Sequence, residues 1–302
     1  MVYRFSKGVP WLHLTVYYVA LLKLASNNMR PGKLLDDIGK DRIHGSTDLA
    51  ILALEGIGKV AIASDVVDPE VFQQRMQSLI VSLQSCRPSM VALANLLERV
   101  RLPVSQFSTH EFETYRKLVI DHCTEAVRFA EQAQSRVVEE MVKLVKVDDV
   151  IMTHSISSTV KKIFEQLSRT QVEIIVTESR PGNEGKVLAA YLVELGFKPT
   201  YITEAQIDLC MPKVTKVIVD ADALLSDGSF INKCGTSLMA MSAKYHGVPV
   251  YVCAEAFKQT NSTEYELEQM DPGELELNLV GVGVSNVYFE RVAAELITFW
   301  IH

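Results

Sequence analysis

From Val147 onward the chain repeats one rhythm, a short apolar β-branched run followed by an amphipathic stretch. "DDVIMTHS" precedes "STVKKIFEQLSRT", "VEIIVTES" precedes "EGKVLAAYLVELG", and "KVIVDAD" precedes "GTSLMAMSAKYHG". "KPTYIT" stands before a short connector, and "VPVYVCAE" closes the series. Strands that are apolar throughout, rather than alternating, are buried on both faces. Strands of that kind separated by helices belong to parallel sheets. The rhythm predicts an α/β fold, with a Rossmann-like, doubly wound and mostly parallel sheet over residues 148–302. No GxGxxG follows a strand, so a dinucleotide is not the expected ligand.

Residues 1–147 carry a different period. Apolar residues recur at helical spacing in "TDLAILALEGIGKVAIAS", "PEVFQQRMQSLIVSLQS", "PSMVALANLLERV" and the long "FETYRKLVIDHCTEAVRFAEQAQSRVVEEMVKLV". This half is expected to be an N-terminal helical domain. Pro88 suits the start of a helix. The apolar run "VPWLHLTVYYVALLKLA" (9–25) is interrupted by His13 and Lys23. It is short for a membrane span and lacks a small-residue cleavage site, so it reads as a buried helix.

With 302 residues, 48 % of them hydrophobic, the chain supports two compact units and excludes wholesale disorder. A net charge of −7 argues against a nucleic-acid coat, which needs a basic face. Five dispersed cysteines without CxxC spacing read as free thiols in a reducing cytoplasm, not as a disulfide framework or zinc site. No metal or cofactor is expected.

Ligands of doubly wound sheets lie beyond the carboxyl ends of the strands. Four polar clusters fall at such ends. "THSISST" (153–159) offers hydroxyls and helix N-terminal N–H groups, a seat for an anion or ordinary capping. "TESRPGNEG" (177–185) brings Arg180, whose planar fork suits phosphate. "VIVDADALLSDGSFINKCGTSLMA" (217–240) ends a strand in Asp220 and Asp222, turns at "SDGS", and returns with Asn232 and Lys233 before Gly235 and Thr236. An aspartate at such a mouth serves as general acid or base, or as acceptor for a hydroxyl. In "CAEAFKQ" (253–259), Glu255 and Lys258 are spaced to pair with each other. Together the clusters suit a phosphorylated polyol or sugar.

These residues carry a resemblance. "VTESRPGNEG", "VIVDADALLSDGSFINKCGTSLMAMSAK" and "VPVYVCAEAFK" closely resemble the initiation factor 2B alpha/beta/delta family. That family also contains the methylthioribose-1-phosphate and archaeal ribose-1,5-bisphosphate isomerases. "DRIHGSTDLA" and "RPSMVALAN" resemble its two N-terminal pocket motifs. The resemblance implies a helical domain on a Rossmann-like one, homodimers or higher assemblies, and a sugar-phosphate pocket between the domains. It implies Gly45, Arg87, Arg180, Asn232 and Lys233 as ligand-binding positions and Asp222 as the isomerases' catalytic aspartate. Where the isomerases carry a catalytic cysteine this chain has Ser155, and where they carry a phosphate-gripping arginine it has His44. A serine hydroxyl without an adjacent base moves a proton from carbon far less well than a thiol.

Two functions follow from the resemblance. The favoured one is a regulatory, ligand-binding protein like the alpha-type subunit or a prokaryotic homologue. Its partners would be a small phosphorylated ligand, copies of itself, other initiation-factor subunits or a GTPase factor, with no direct nucleic acid and no membrane. The alternative is an aldose–ketose isomerase of a phosphorylated pentose, using Asp222 and Ser155.

Overall fold

The computed structural model describes residues 29–41, 44–107, 111–265, 267, 269–277 and 279–302. The apolar run 9–25 lies outside the described residues. Two compact units emerge. One comprises residues 29–41 with Ile51–Cys86 and Leu97–Arg128. The other comprises Arg42–Ala50, Arg87–Leu96 and Phe129–His302.

The first unit is helical. It draws on α1 (Pro31–Lys40) and on parts of α2 (Ser46–Ala63), α3 (Pro69–Cys86), α4 (Val91–Gln106) and α5 (Phe112–Leu144). On α3, Phe72, Met76, Leu79, Ile80 and Leu83 recur at the spacing that keeps them on one face, and all are buried. The fully buried Tyr115 meets Phe72 edge-on at 6.0 Å and donates its hydroxyl hydrogen to the Val104 carbonyl at 2.9 Å. A buried phenol thus keeps a partner for its polar end. Pro88 does not open α4. It lies in the turn three residues ahead of Val91, where the ring's fixed φ serves equally well.

The second unit is built on a six-stranded sheet ordered β3-β2-β1-β4-β7-β9, parallel at every pairing. Its strands are β1 (Val150–Thr153), β2 (Glu173–Thr177), β3 (Thr200–Ile202), β4 (Lys216–Val219), β7 (Val250–Cys253) and β9 (Phe299–Ile301). The helices α6 (Ser158–Leu167), α7 (Glu184–Glu194) and α9 (Thr236–His246) and the short α8 (Ile207–Cys210) connect them. Met152, Ile175, Val217, Val219, Val250 and Val252 bury one face with Met239, Ala240 and Ala243 of α9. Ile151, Ile174, Val176 and Ile218 bury the other with α6, α7 and the second half of α5. Two covered faces explain why these strands read as unbroken apolar runs.

Two elements lie beyond the sequence reading. "TFWI" adds β9 as a sixth strand beside β7, and its Trp300 meets Phe230 edge-on at 5.7 Å. A small antiparallel sheet, β5 (Ala223–Leu224), β6 (Phe230–Lys233) and β8 (Phe289–Val292), stands apart from the main one. The Asp227–Gly228 turn, with Gly228 at φ 83°, joins β5 to β6 as the "SDGS" pattern implies. No disulfide joins any cysteines among the described residues. No described helix is long and apolar enough to cross a membrane.

Candidate ligand site at the carboxyl ends of the sheet

Chain order reverses between β1 and β4, the neighbours at the centre of the sheet, and a crevice at such a point is where open α/β sheets hold ligands. Beyond β1 comes His154, whose side chain is fully buried. Its Nε2 lies 2.7 Å from the Cys234 carbonyl and its Nδ1 lies 2.6 Å from Thr177 Oγ1. A carbonyl only accepts, so Nε2 carries the hydrogen and Nδ1 accepts from the threonine. Burial pushes the imidazole pKa down to about 4, assisted by the charge of Lys233 and opposed by the carbonyl. The ring is neutral and both its nitrogens are engaged.

Ser155 follows in the left-handed region at φ 67° and donates its N–H to Ser179 Oγ at 2.7 Å. Ser179, at φ 63°, donates its own N–H to Glu204 at 2.6 Å. The turns after β1 and β2 are thereby tied together. The Ser155 hydroxyl has no hydrogen-bond partner among the described residues, and the adjacent His154 is engaged at both ring nitrogens. Ser157 caps α6, accepting from the Thr159 and Val160 N–H groups, and donates its hydroxyl hydrogen to Asp220 at 2.6 Å.

Asp220 leads into a buried ionic cluster. The wholly buried ammonium of Lys258 lies 2.8 and 2.9 Å from the two Asp220 oxygens and 3.0 Å from Glu255. Glu255 accepts from Thr159 at 2.6 Å and from Thr47 at 3.2 Å. Burial raises the Asp220 pKa to about 6 against the pull of Lys258, with Glu255 and Asp222 adding to the rise. Burial also works against ionisation of Glu255, but Lys258 and the Thr159 hydroxyl outweigh it, and its pKa falls below the usual range. For Lys258 itself the carboxylates overcome burial and hold the ammonium charged. One ammonium facing more than one carboxylate leaves a single acid, Asp220, as the easiest to protonate.

Asp222 hangs from the small sheet, its N–H donating to the Ile231 carbonyl at 2.8 Å. Burial raises its pKa, countered by Lys258, the Ser46 hydroxyl, Lys233 and Arg87. Three cations thus act on one carboxylate. Arg87 is buried. Asn232, also buried, donates from Nδ2 to Thr236 Oγ1 at 3.1 Å. Lys233 lies 2.6 Å from Glu184 Oε1 and 3.8 Å above the Tyr288 ring. Gly45 faces the start of α6, where an added Cβ would stand 3.9 Å from Ser158 N. Arg180 is exposed, and its side chain makes no ion pair among the described residues.

The structure therefore groups Asp222, Arg87 and Lys233 electrostatically and sets Gly45 against the α6 cap. Ser155 and Arg180 sit on neighbouring turns with no direct bond between them. The Glu255–Lys258 pair occurs as its spacing implies, but Asp220, 38 positions away, shares the same ammonium. Glu184 lies 49 positions from Lys233 in the chain, and no local spacing signals either long-range partner. Among the described residues, no group of three His, Cys, Asp or Glu is arranged to hold a metal ion.

The turn after β2 depends on one glycine. A Cβ on Gly185 would stand 1.7 Å from the Thr177 carbonyl oxygen, so only glycine lets α7 start this close to the strand it follows.

Comparison with known proteins agrees with this fold. The model of the initiation factor 2 subunit family matches residues 42–302. A ribose 1,5-bisphosphate isomerase of Archaeoglobus fulgidus is 32 % identical over 82 % of this chain and 80 % of its own. A putative translation initiation factor eIF-2B subunit 2-like protein of Pyrococcus abyssi is 32 % identical over 85 % and 89 %. The crystal structure of the Pyrococcus horikoshii translation initiation factor eIF-2B superposes with a TM-score of 0.77 at 28 % identity, covering 90 % of this chain and 94 % of that one. The 5-methylthioribose 1-phosphate isomerase of the same organism shares the fold, with a TM-score of 0.77 at 20 % identity over 90 % of this chain and 82 % of that one. A family match over these residues, with relatives of this identity and coverage, makes the chain a member of the initiation factor 2 subunit family.

Proposed function

We propose that this protein binds a small phosphorylated ligand, a pentose phosphate or nucleoside monophosphate, at the carboxyl ends of β1, β2 and β4. In this reading it is a regulatory, initiation-factor-2B-like protein that works through copies of itself, related subunits or a GTPase factor, in the cytoplasm. The supporting observation is the contrast between Asp222 and Ser155. Burial raises the Asp222 pKa against the pull of Lys258, Lys233 and Arg87, whereas no described residue bonds to the Ser155 hydroxyl and His154 is locked by two hydrogen bonds. Removing a proton from carbon needs a base near the working pH, and Ser155 supplies none.

The test is thermal. A ligand that binds only the folded state stabilises it by about 2.7 kcal/mol at a hundred times its Kd. Ribose 5-phosphate or AMP should raise the Tm, ribose and adenosine should not, and Arg180→Ala should remove most of the shift. An Arg180→Ala protein that responds as fully as wild type would place the phosphate elsewhere.

An isomerase is the second reading. It is favoured by relatives named ribose 1,5-bisphosphate isomerase and by the burial that raises the Asp222 pKa. Under the main reading, ribose 1,5-bisphosphate turns over little or not at all, and Ser155→Cys raises that rate through Asp222. Robust wild-type turnover that disappears in Asp222→Asn would reverse the ranking.

A further inference from the structure

The strands β3, β2 and β1 lie side by side, and the turns beyond them are chained together through one serine. Ser179, wholly buried, follows β2 at φ 63°, and Ser155 follows β1 at φ 67°. Non-glycine residues seldom take this left-handed conformation, and they keep it only where surrounding bonds hold them. Ser179 is the node of those bonds. Its hydroxyl hydrogen is directed at Thr177, whose carbonyl and hydroxyl oxygens lie 3.2 and 3.3 Å away, and its oxygen accepts the Ser155 N–H at 2.7 Å. Its carbonyl accepts the Asn183 N–H at 3.0 Å, and its own N–H goes to Glu204 Oε1 at 2.6 Å.

Glu204 is the outer end of this chain. It opens a short 3-10 turn (Glu204–Gln206) just beyond β3, and its carboxylate reaches across to the turn after β2. A backbone N–H bonded to a carboxylate is held more firmly than one bonded to a neutral acceptor. The stem of Glu204 is confined by the start of α9, where a Cβ on Gly235 would stand 3.5 Å from Glu204 Cγ. His154 Nδ1 is 3.9 Å from the same carboxylate oxygen, beyond hydrogen-bonding distance, so the bond of Glu204 in this chain is the one to Ser179. At the inner end stands Ser155, half-buried, its N–H tied to Ser179 and its hydroxyl bonded to no described residue.

We infer that Glu204 is a positioning residue: acting through Ser179, it fixes the left-handed turn at Ser155 so that the Ser155 hydroxyl is set to bond the ligand. The inference rests on the phosphorylated-ligand reading above. Glu204 itself does not touch the ligand.

Titration calorimetry of the intact protein with ribose 5-phosphate tests this through a double-mutant cycle. Ser155→Gly removes the hydroxyl but leaves a backbone that adopts positive φ freely, and should weaken binding about tenfold, the loss of one hydrogen bond. Glu204→Ala should weaken it to a similar degree. Glu204→Gln, whose amide oxygen still accepts from the Ser179 N–H, should stay within about threefold of wild type. Two residues that act through one contact do not add, so the double variant Ser155→Gly, Glu204→Ala should bind within about twofold of either single one. Losses that add, to about a hundredfold, overturn the inference, because Glu204 would then act on binding independently of Ser155. Wild-type binding by either single variant overturns it too. So does Glu204→Gln failing as completely as Glu204→Ala, since charge and not the bond to Ser179 would then matter. If neither ribose 5-phosphate nor AMP binds wild type, the reading under Proposed function falls and takes this one with it. Wild-type binding that is lost in Arg180→Ala but unchanged in Glu204→Ala removes this inference alone.

Discussion

The two sides of the crevice handle buried polarity differently. On the β4–β7 side, Lys258, Asp220, Glu255, Thr159, Ser157 and Thr47 form a closed circuit of hydrogen bonds. On the β2–β6 side, Lys233 and Glu184 pair, yet Glu184 Oε2 and Asn183 Oδ1 lack donors and Arg180 points outward. A satisfied network rigidifies what surrounds it, and buried acceptors left without donors are costly. On the proposed reading the β4–β7 circuit is framework, and the β2 turn is receptor.

The contrast breaks most directly at Lys258. Lys258→Met strips the ammonium from between buried carboxylates and should destabilise the protein by about 3–5 kcal/mol, read by urea denaturation. Lys233→Met, whose acid partner sits nearer the surface, should cost clearly less. Equal losses would erase the distinction between framework and receptor.

His154 gives the next largest effect, through pH. Its folded pKa of about 4 lies below the ordinary 6.5, so between those values the unfolded chain takes up the proton more readily. Stability is full above pH 6.5 and is lost as pH falls towards 4, by about 3 kcal/mol in all. Asp220 acts in the opposite sense. Its pKa is raised to about 6, so the folded state takes up that proton first and regains part of the loss between about pH 6 and 4. His154→Gln should flatten the fall with pH, and Asp220→Asn should steepen it. A His154→Gln protein with the wild-type profile would remove the histidine from this account.

The smallest effect sharpens the comparison within a single turn. Gly185→Ala drives a Cβ into a backbone carbonyl that cannot move cheaply, and should cost about 1–3 kcal/mol. Gly182→Ala meets only the movable end of Glu184, and should cost less than Gly185→Ala. Comparable melting temperatures for the two variants would mean that the turn yields throughout.

The legibility of the fold followed the range of the forces involved. Helical spacing in α3 and unbroken apolar runs in β1, β2, β4 and β7 are local signals, and both survive in the structure. The strand in "TFWI" and the sheet of β5, β6 and β8 went unread because each is only two to four residues long and is stabilised by partners far along the chain. The site shows the same division. Glu255 and Lys258 sit three apart and were legible as a pair, whereas Asp220 with Lys258 and Glu184 with Lys233 meet only because of strand order. The apolar tail is used partly within the chain. Ile301 is buried in β9 while Phe299 stays exposed.

The Thr47–Glu255 bond spans 208 positions, and the Thr159–Glu255 bond spans 96. Closing loops of that length is slow, and contacts across them form late, after local helices and neighbouring strands have assembled. Interactions missing from the transition state govern how fast a protein comes apart more than how fast it forms. The Glu255 circuit therefore acts as a latch in time. During synthesis the Thr47 hydroxyl waits for most of the chain to emerge before its acceptor exists.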